Sequence, residues 1–110
     1  MKVSIITPTY NSEKTIQRTI DSVINQNFSD IEHIIIDGGS TDKTLEIITK
    51  NNGKISKFIS EKDKGIYNAI NKGISLATGD IIGILNSDDL LANEKIISKI
   101  VSCFEETNCD

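Results

Sequence analysis

Apolar residues fall along this chain in two alternating patterns. Short apolar runs, Val3 with Ile5 and Ile6, Ile31 to Ile36, Ile55 to Ser60 and Ile81 to Leu85, read as strands. Between them the apolar positions recur at helical spacing. Ile16, Ile20, Val23 and Ile24 form one face, and Leu45, Ile47 and Ile48 a second. Ile66, Ala69, Ile70, Gly73, Ile74 and Ala77 form a third, and Ile96, Ile97, Ile100, Val101 and Phe104 a last one. Pro8 is expected to stop the first strand at Thr7, because proline cannot continue a central strand. Asn11 or Ser12 is placed to cap the first helix and Asp42 the second, while Asn51-Asn52-Gly53 and Gly79 end helices. The small residues Ala69, Gly73 and Ala77 let the third helix lie close against the sheet. Strands alternating with helices predict βαβ units and a mainly parallel sheet with helices on both faces, an α/β fold.

Polar residues collect where strands end. The four runs lead into Thr7 to Asn11, Asp37 to Asp42, Glu61 to Gly65 and Asn86 to Asp89. In a parallel sheet these loops share the carboxyl edge, where open α/β sheets bind ligands. Asp88 and Asp89 repel each other unless a cation lies near, or else one of them caps the next helix. His33 lies inside a strand pattern and reads as structural.

With 110 residues the chain fits one domain, spanning 1–110. Twelve basic residues against 16 acidic ones give a net charge of -4, which argues against nucleic-acid binding. An anionic ligand then needs local positive charge from a metal or from helix N-termini. No apolar run approaches a membrane span, and the first residues are too short for a signal peptide, so the expectation is cytoplasmic. Cys103 and Cys109 make no zinc pattern and are expected as free thiols.

Aspartates without a metal-binding set of His and Cys suit Mg²⁺ or Mn²⁺. No phosphate-binding Gly-x-x-x-x-Gly-Lys-Ser/Thr and no dinucleotide-binding Gly-x-Gly-x-x-Gly is present. A phospho-accepting receiver domain would need paired acids where Thr7-Pro8-Thr9 stands.

Val3 to Asn11, Asp37-Gly38-Gly39-Ser40-Thr41-Asp42 and Asn86-Ser87-Asp88-Asp89 together resemble the nucleotide-binding half of a family 2 glycosyltransferase. Ser60 to Gly73 resembles a signature of its bacterial branch that builds surface polysaccharides. The resemblance implies a Rossmann-like GT-A fold, a nucleotide-diphosphate-sugar donor, commonly UDP-linked, and inverting transfer to a saccharide or lipid-linked acceptor. Peripheral membrane association at the inner face and a homo-oligomer are compatible with it. By position it implies donor contacts at Thr7, Pro8, Thr9, Tyr10, Asn11, Asp37, Gly39, Asp63, Lys64, Gly65, Asn86 and Asp88. Tyr10 would lie against the base and Asp37 would hydrogen-bond it. Asp88 and Asp89 would hold Mn²⁺ or Mg²⁺. Two positions depart from the family pattern: Gly38 where a second acid is common, and Asn86 where an aspartate is common. The family's catalytic base lies beyond the last acidic pair, so this chain is expected to be the donor-binding half without the acceptor-binding part. The competing readings are a non-catalytic nucleotide-binding or interaction module, and a metal-dependent nucleotidyltransferase. The latter lacks here its glycine-rich, basic first loop.

Overall fold

In the computed structural model, which describes residues 1–62 and 65–107, four strands pair side by side and all run parallel. They are β1 (Val3–Thr9), β2 (Ile31–Asp37), β3 (Lys57–Ser60) and β4 (Ile81–Ile84), in the order β3-β2-β1-β4. The helices are α1 (Ile16–Ile24), α2 (Thr44–Lys50), α3 (Ile66–Leu76) and α4 (Ile96–Thr107). Alternating β1 side chains face opposite layers. Val3 and Ile5 pack with Val23 of α1 and with Ile97 and Val101 of α4, while Ile6 packs with Ala69 of α3. Ile35 meets Ile16, Ile20 and Ile48 of α1 and α2. Helices therefore cover both faces, with three on one side and α3 alone on the other, as the α/β reading expects.

β1 runs through Pro8 to Thr9, paired with Ile36 and Asp37, so the strand does not stop where expected. The reason is the direction of its main-chain groups. Val3 donates to Asp30 and Thr9 accepts from Gly38 on the β2 side, whereas Lys2 and Ile6 accept from the β4 side. By alternation, the N–H that Pro8 lacks belongs to the β4 side, and pairing with β4 has ended at Ile6 and Ile84.

β3 is shorter than expected. Asn51 donates to the Ile47 carbonyl at 2.7 Å and to Gln17 at 2.8 Å, and the chain winds on through a 3₁₀ turn at Asn52–Lys54. Ile55 then packs against the cluster around Ile35, and pairing begins only at Lys57, opposite Ile34. Neither Asn11 nor Ser12 caps α1 through its side chain. The Ser12 carbonyl accepts from Thr15 and Ile16, and helix starts at Ile16. Asp42 accepts from the Thr44 N–H at 2.9 Å but stands one residue before the N-cap of α2, which is Lys43 and makes no side-chain cap bond.

The close approach of α3 is as expected: a Cβ on Gly73 would stand 2.4 Å from Cγ2 of Ile6. The buried stripe is narrower than its periodicity suggests, because α3 lies over β1 and β2 and leaves β4 bare. Ile66 and Ile74 on α3, and Ile82 and Ile84 on β4, are all exposed. Cys103 is disulfide-bonded, which corrects the expectation of a free thiol there; Cys109 lies outside the described residues. Among the described residues, no helix is long and apolar enough to cross a membrane.

At the amino edge, Glu32 is buried and accepts from Ser4 at 2.8 Å and from the Thr78 N–H at 2.9 Å, with Lys57 at 3.1 Å. Burial alone would raise its pKa. The donors from Thr78, Ser4 and Lys57 outweigh that and hold it down at about 2.

Candidate functional site

The loops at the carboxyl edge are organised by Asp37, the last residue of β2. Its carboxylate is fully buried and accepts from the N–H groups of Gly39 (3.0 Å) and Ser40 (2.9 Å), and from the hydroxyls of Ser40 and Ser60 (2.9 Å to the latter). One acceptor-only group thus folds its own loop and ties it to the end of β3. Gly39 has φ +91°, a left-handed conformation that glycine adopts without strain. Its missing side chain also lets the third loop close over it, since a Cβ there would meet Lys62 Cα at 3.4 Å.

Asn11, also left-handed at φ 46°, stitches the first loop to the second. Its N–H donates to the Ser40 hydroxyl at 2.8 Å and its side-chain oxygen accepts from the Thr41 N–H at 2.8 Å. Asp42 adds a tie by accepting from the Glu13 N–H at 3.3 Å. Partial burial opposes its charge, but the hydroxyl and N–H of Thr44 and the N–H of Glu13 hold it below the ordinary carboxylate range.

These loops enclose a cavity of about 630 Å³, within the range of small-molecule sites. Pro8, Thr9 and Tyr10 form one wall, Gly38, Gly39 and Thr41 a second, Lys62 a third, and Gly65, Ile66 and Ala69 of the α3 start the last. Tyr10 is 59% exposed, leaving its ring face available to a flat ligand. The α3 N-terminus on the cavity wall brings partial positive charge to an otherwise acidic molecule. The Thr9 hydroxyl is buried without a hydrogen-bond partner among the described residues.

Beyond β4 the chain makes a tight turn, with the Asp89 N–H donating to the Asn86 carbonyl at 3.0 Å. Asp88 and Asp89 are exposed there as adjacent carboxylates. Among the described residues, no group of three or more His, Cys, Asp or Glu side chains gathers to hold a metal. The turn is fastened to α1: the Thr19 hydroxyl lies 3.0 Å from the Ser87 carbonyl and 2.5 Å from that of Asp89, and Ser12 and Ser87 hydroxyls are 2.7 Å apart.

Of the expected donor contacts, Pro8, Thr9, Tyr10, Gly39 and Gly65 line the cavity. Thr7 lies beneath it, fully buried, its hydroxyl 2.8 Å from Nε2 of His33. Asp37 and Asn11 shape the loops, and Asn86, Asp88 and Asp89 sit on the turn after β4. Asp63 and Lys64 lie outside the described residues. Gly38, Thr41, Lys62, Ile66 and Ala69 lie inside the motif stretches but are not among the expected donor contacts; Thr19 carries no signal beyond its place on α1.

The family described as glycosyl transferase family 2 matches residues 4–110. Chondroitin synthase of Escherichia coli is 44% identical over 96 residues, which are 86% of this chain and 14% of that protein. The crystal structure of S. aureus TarS superposes with a TM-score of 0.90 at 31% identity, over all of this chain and 20% of that one. TarS 1-349 in complex with UDP-GlcNAc gives 0.88 at 30% identity, over 98% of this chain and 32% of that one. This chain thus spans well under half the length of these proteins.

Proposed function

Because the chain belongs to glycosyl transferase family 2, with the GT-A fold, we propose that it is the donor-binding part of an enzyme that transfers a sugar from a nucleotide-diphosphate-sugar to a saccharide or lipid-linked acceptor. The observation that carries this reading is the cavity over the carboxyl ends of β1 and β2, walled by Tyr10, two glycines and the start of α3. A base stacks on the exposed Tyr10 ring. Gly38 and Gly39 let it approach the main chain, and the α3 N-terminus and Lys62 offset phosphate charge. The first choice of donor is a UDP-sugar, in keeping with the UDP-GlcNAc held by TarS 1-349. The pathway is bacterial surface polysaccharide assembly, in keeping with the chondroitin synthase relative.

Asp37 acts here by building the loop rather than by offering a free carboxylate, since both its oxygens already accept hydrogen bonds. A divalent cation fits the acidic turn by chemistry: Asp88 and Asp89 are exposed, hard-oxygen donors, and the diphosphate supplies the remaining ligands. Bound there, Mn²⁺ or Mg²⁺ would neutralise the diphosphate and stabilise the leaving group. The acceptor site and the catalytic base are assigned to sequence that the longer relatives have and this chain does not span.

Calorimetric titration of UDP, with GDP as control, tests the cavity. Tyr10→Ala is expected to weaken UDP about tenfold, the scale of one base–aromatic stack. Unchanged UDP affinity in that variant would remove the base from this cavity.

A further inference from the structure

The acidic turn is not held by the sheet it follows. Leu85 makes the last main-chain bond between β4 and β1, donating to the Ile6 carbonyl at 2.9 Å. The next rung would need the N–H of residue 8, on the β4 side of β1, and that residue is Pro8. From Asn86 onward the chain leaves the ladder.

What fixes it is α1. Thr19, only 1% exposed, directs its hydroxyl at the carbonyls of Asp89 and Ser87, the first being the shorter contact. Ser12 reaches the same turn through the Ser87 hydroxyl at 2.7 Å and the Tyr10 carbonyl at 3.2 Å. A hydroxyl has one proton, so the order that satisfies both is Ser87 donating to Ser12 and Ser12 donating to Tyr10. That relay joins the acidic turn to the cavity wall. Ser22 continues the fastening, its hydroxyl accepting from the Leu91 N–H at 3.1 Å.

We propose that Thr19 is a positioning residue for Asp88 and Asp89, with Ser12 setting the distance between those carboxylates and the nucleotide cavity. The inference rests on the donor-site reading for its consequence, but the fastening itself is a property of the turn. Without the Thr19 hydroxyl the turn loses its direct bonds to α1 at Ser87 and Asp89. It keeps its internal Asn86–Asp89 bond, the Ser12 relay and the Ser22–Leu91 bond just beyond it, and the two carboxylates are no longer held where a diphosphate-bound cation meets them.

Two measurements on wild type, Thr19→Val and Thr19→Ser test it. Valine keeps the shape and removes the hydroxyl; serine restores the hydroxyl. First, hydrogen exchange at the Asp89 amide is expected to quicken about tenfold in Thr19→Val, the scale of one hydrogen bond, and to return in Thr19→Ser. Exchange at the Gly39 amide, held by Asp37, should stay the same. Equal Asp89 exchange in all three proteins would overturn the proposal whatever the nucleotide does. Second, the factor by which Mn²⁺ strengthens UDP binding is expected to fall about tenfold in Thr19→Val and to recover in Thr19→Ser, with metal-free affinity unchanged. Where wild type shows a Mn²⁺ effect, a factor unaltered by valine would also overturn it. Quickened Asp89 exchange in a protein whose wild type shows no Mn²⁺ effect would support the fastening and count against the metal reading alone.

Discussion

His33 shows how one residue ties stability to pH. It is 2% exposed, with Nε2 against Thr7 and no partner for Nδ1 among the described residues, and burial drives its pKa from 6.5 down to about 4. The unfolded chain therefore takes up a proton below pH 6.5 that the folded one refuses. Stability is complete above about 6.5 and falls as pH drops toward 4, by about 3 kcal/mol in all. Urea unfolding across that range should show the slope in wild type and a flatter one in His33→Gln. Equal slopes would mean that His33 takes up its proton without unfolding. Glu32 works at lower pH. Its folded pKa of about 2 against an ordinary 4.5 adds stability that is full above 4.5 and lost as pH falls toward 2. Glu32→Gln should remove that lower step and, by weakening the bonds from Ser4 and Thr78, cost about 2 kcal/mol at pH 7. Gly39→Ala should cost about 1 kcal/mol through its positive φ, whereas Gly53→Ala, with open space around it, should cost little. The glycines and the strand-end acids could be seen in the sequence. That Asp37 would also tie its loop to β3 could not, because the partner hydroxyl of Ser60 comes from another strand, 23 residues on.

Among the elements, the four strands and four helices followed from hydrophobic period, since short apolar runs and amphipathic helices differ sharply in spacing. The runs alone did not show that β1 and β2 are buried on both faces while alternate residues of β3 and β4 are exposed. Boundaries failed where a tertiary contact outweighed local preference. Pro8 stayed in β1 because the missing donor faced the side where β4 had ended. The third run lost its first residues to the Asn51-anchored turn. The stripe on α3 was over-read because periodicity shows which residues share a helix face and not how wide the underlying sheet is. Its central contact is sharp enough to test: Gly73→Ala puts a Cβ into Ile6. The helix must lift, at a cost of about 1–3 kcal/mol. Thermal unfolding of Gly73→Ala, Ile6→Ala and the pair should show the double variant losing less than the sum of the two, because alanine at position 6 removes the Cγ2 that the new Cβ meets.

For the molecule as a whole, the arrangement solves a problem of charge. On the proposed reading, a chain with a net charge of -4 holds a diphosphate, which is itself an anion. The means proposed are local: a helix start and Lys62 at the cavity, and a pair of carboxylates whose mutual repulsion a cation would relieve. The sheet order sets this up, since β2 and β4 flank β1 on opposite sides, with the cavity over the carboxyl ends of β1 and β2 and the acidic turn at that of β4. On the proposed function, cavity and acidic turn together bind the nucleotide end of a sugar donor through a metal. Calorimetric titration of UDP with and without Mn²⁺, on wild type and on Asp88→Ala/Asp89→Ala, tests both halves at once. UDP binding is expected to be strengthened by Mn²⁺ in wild type, and to stay at the metal-free affinity in the variant. Failure of the folded wild-type protein to bind UDP, or an equal Mn²⁺ effect in both proteins, would contradict it.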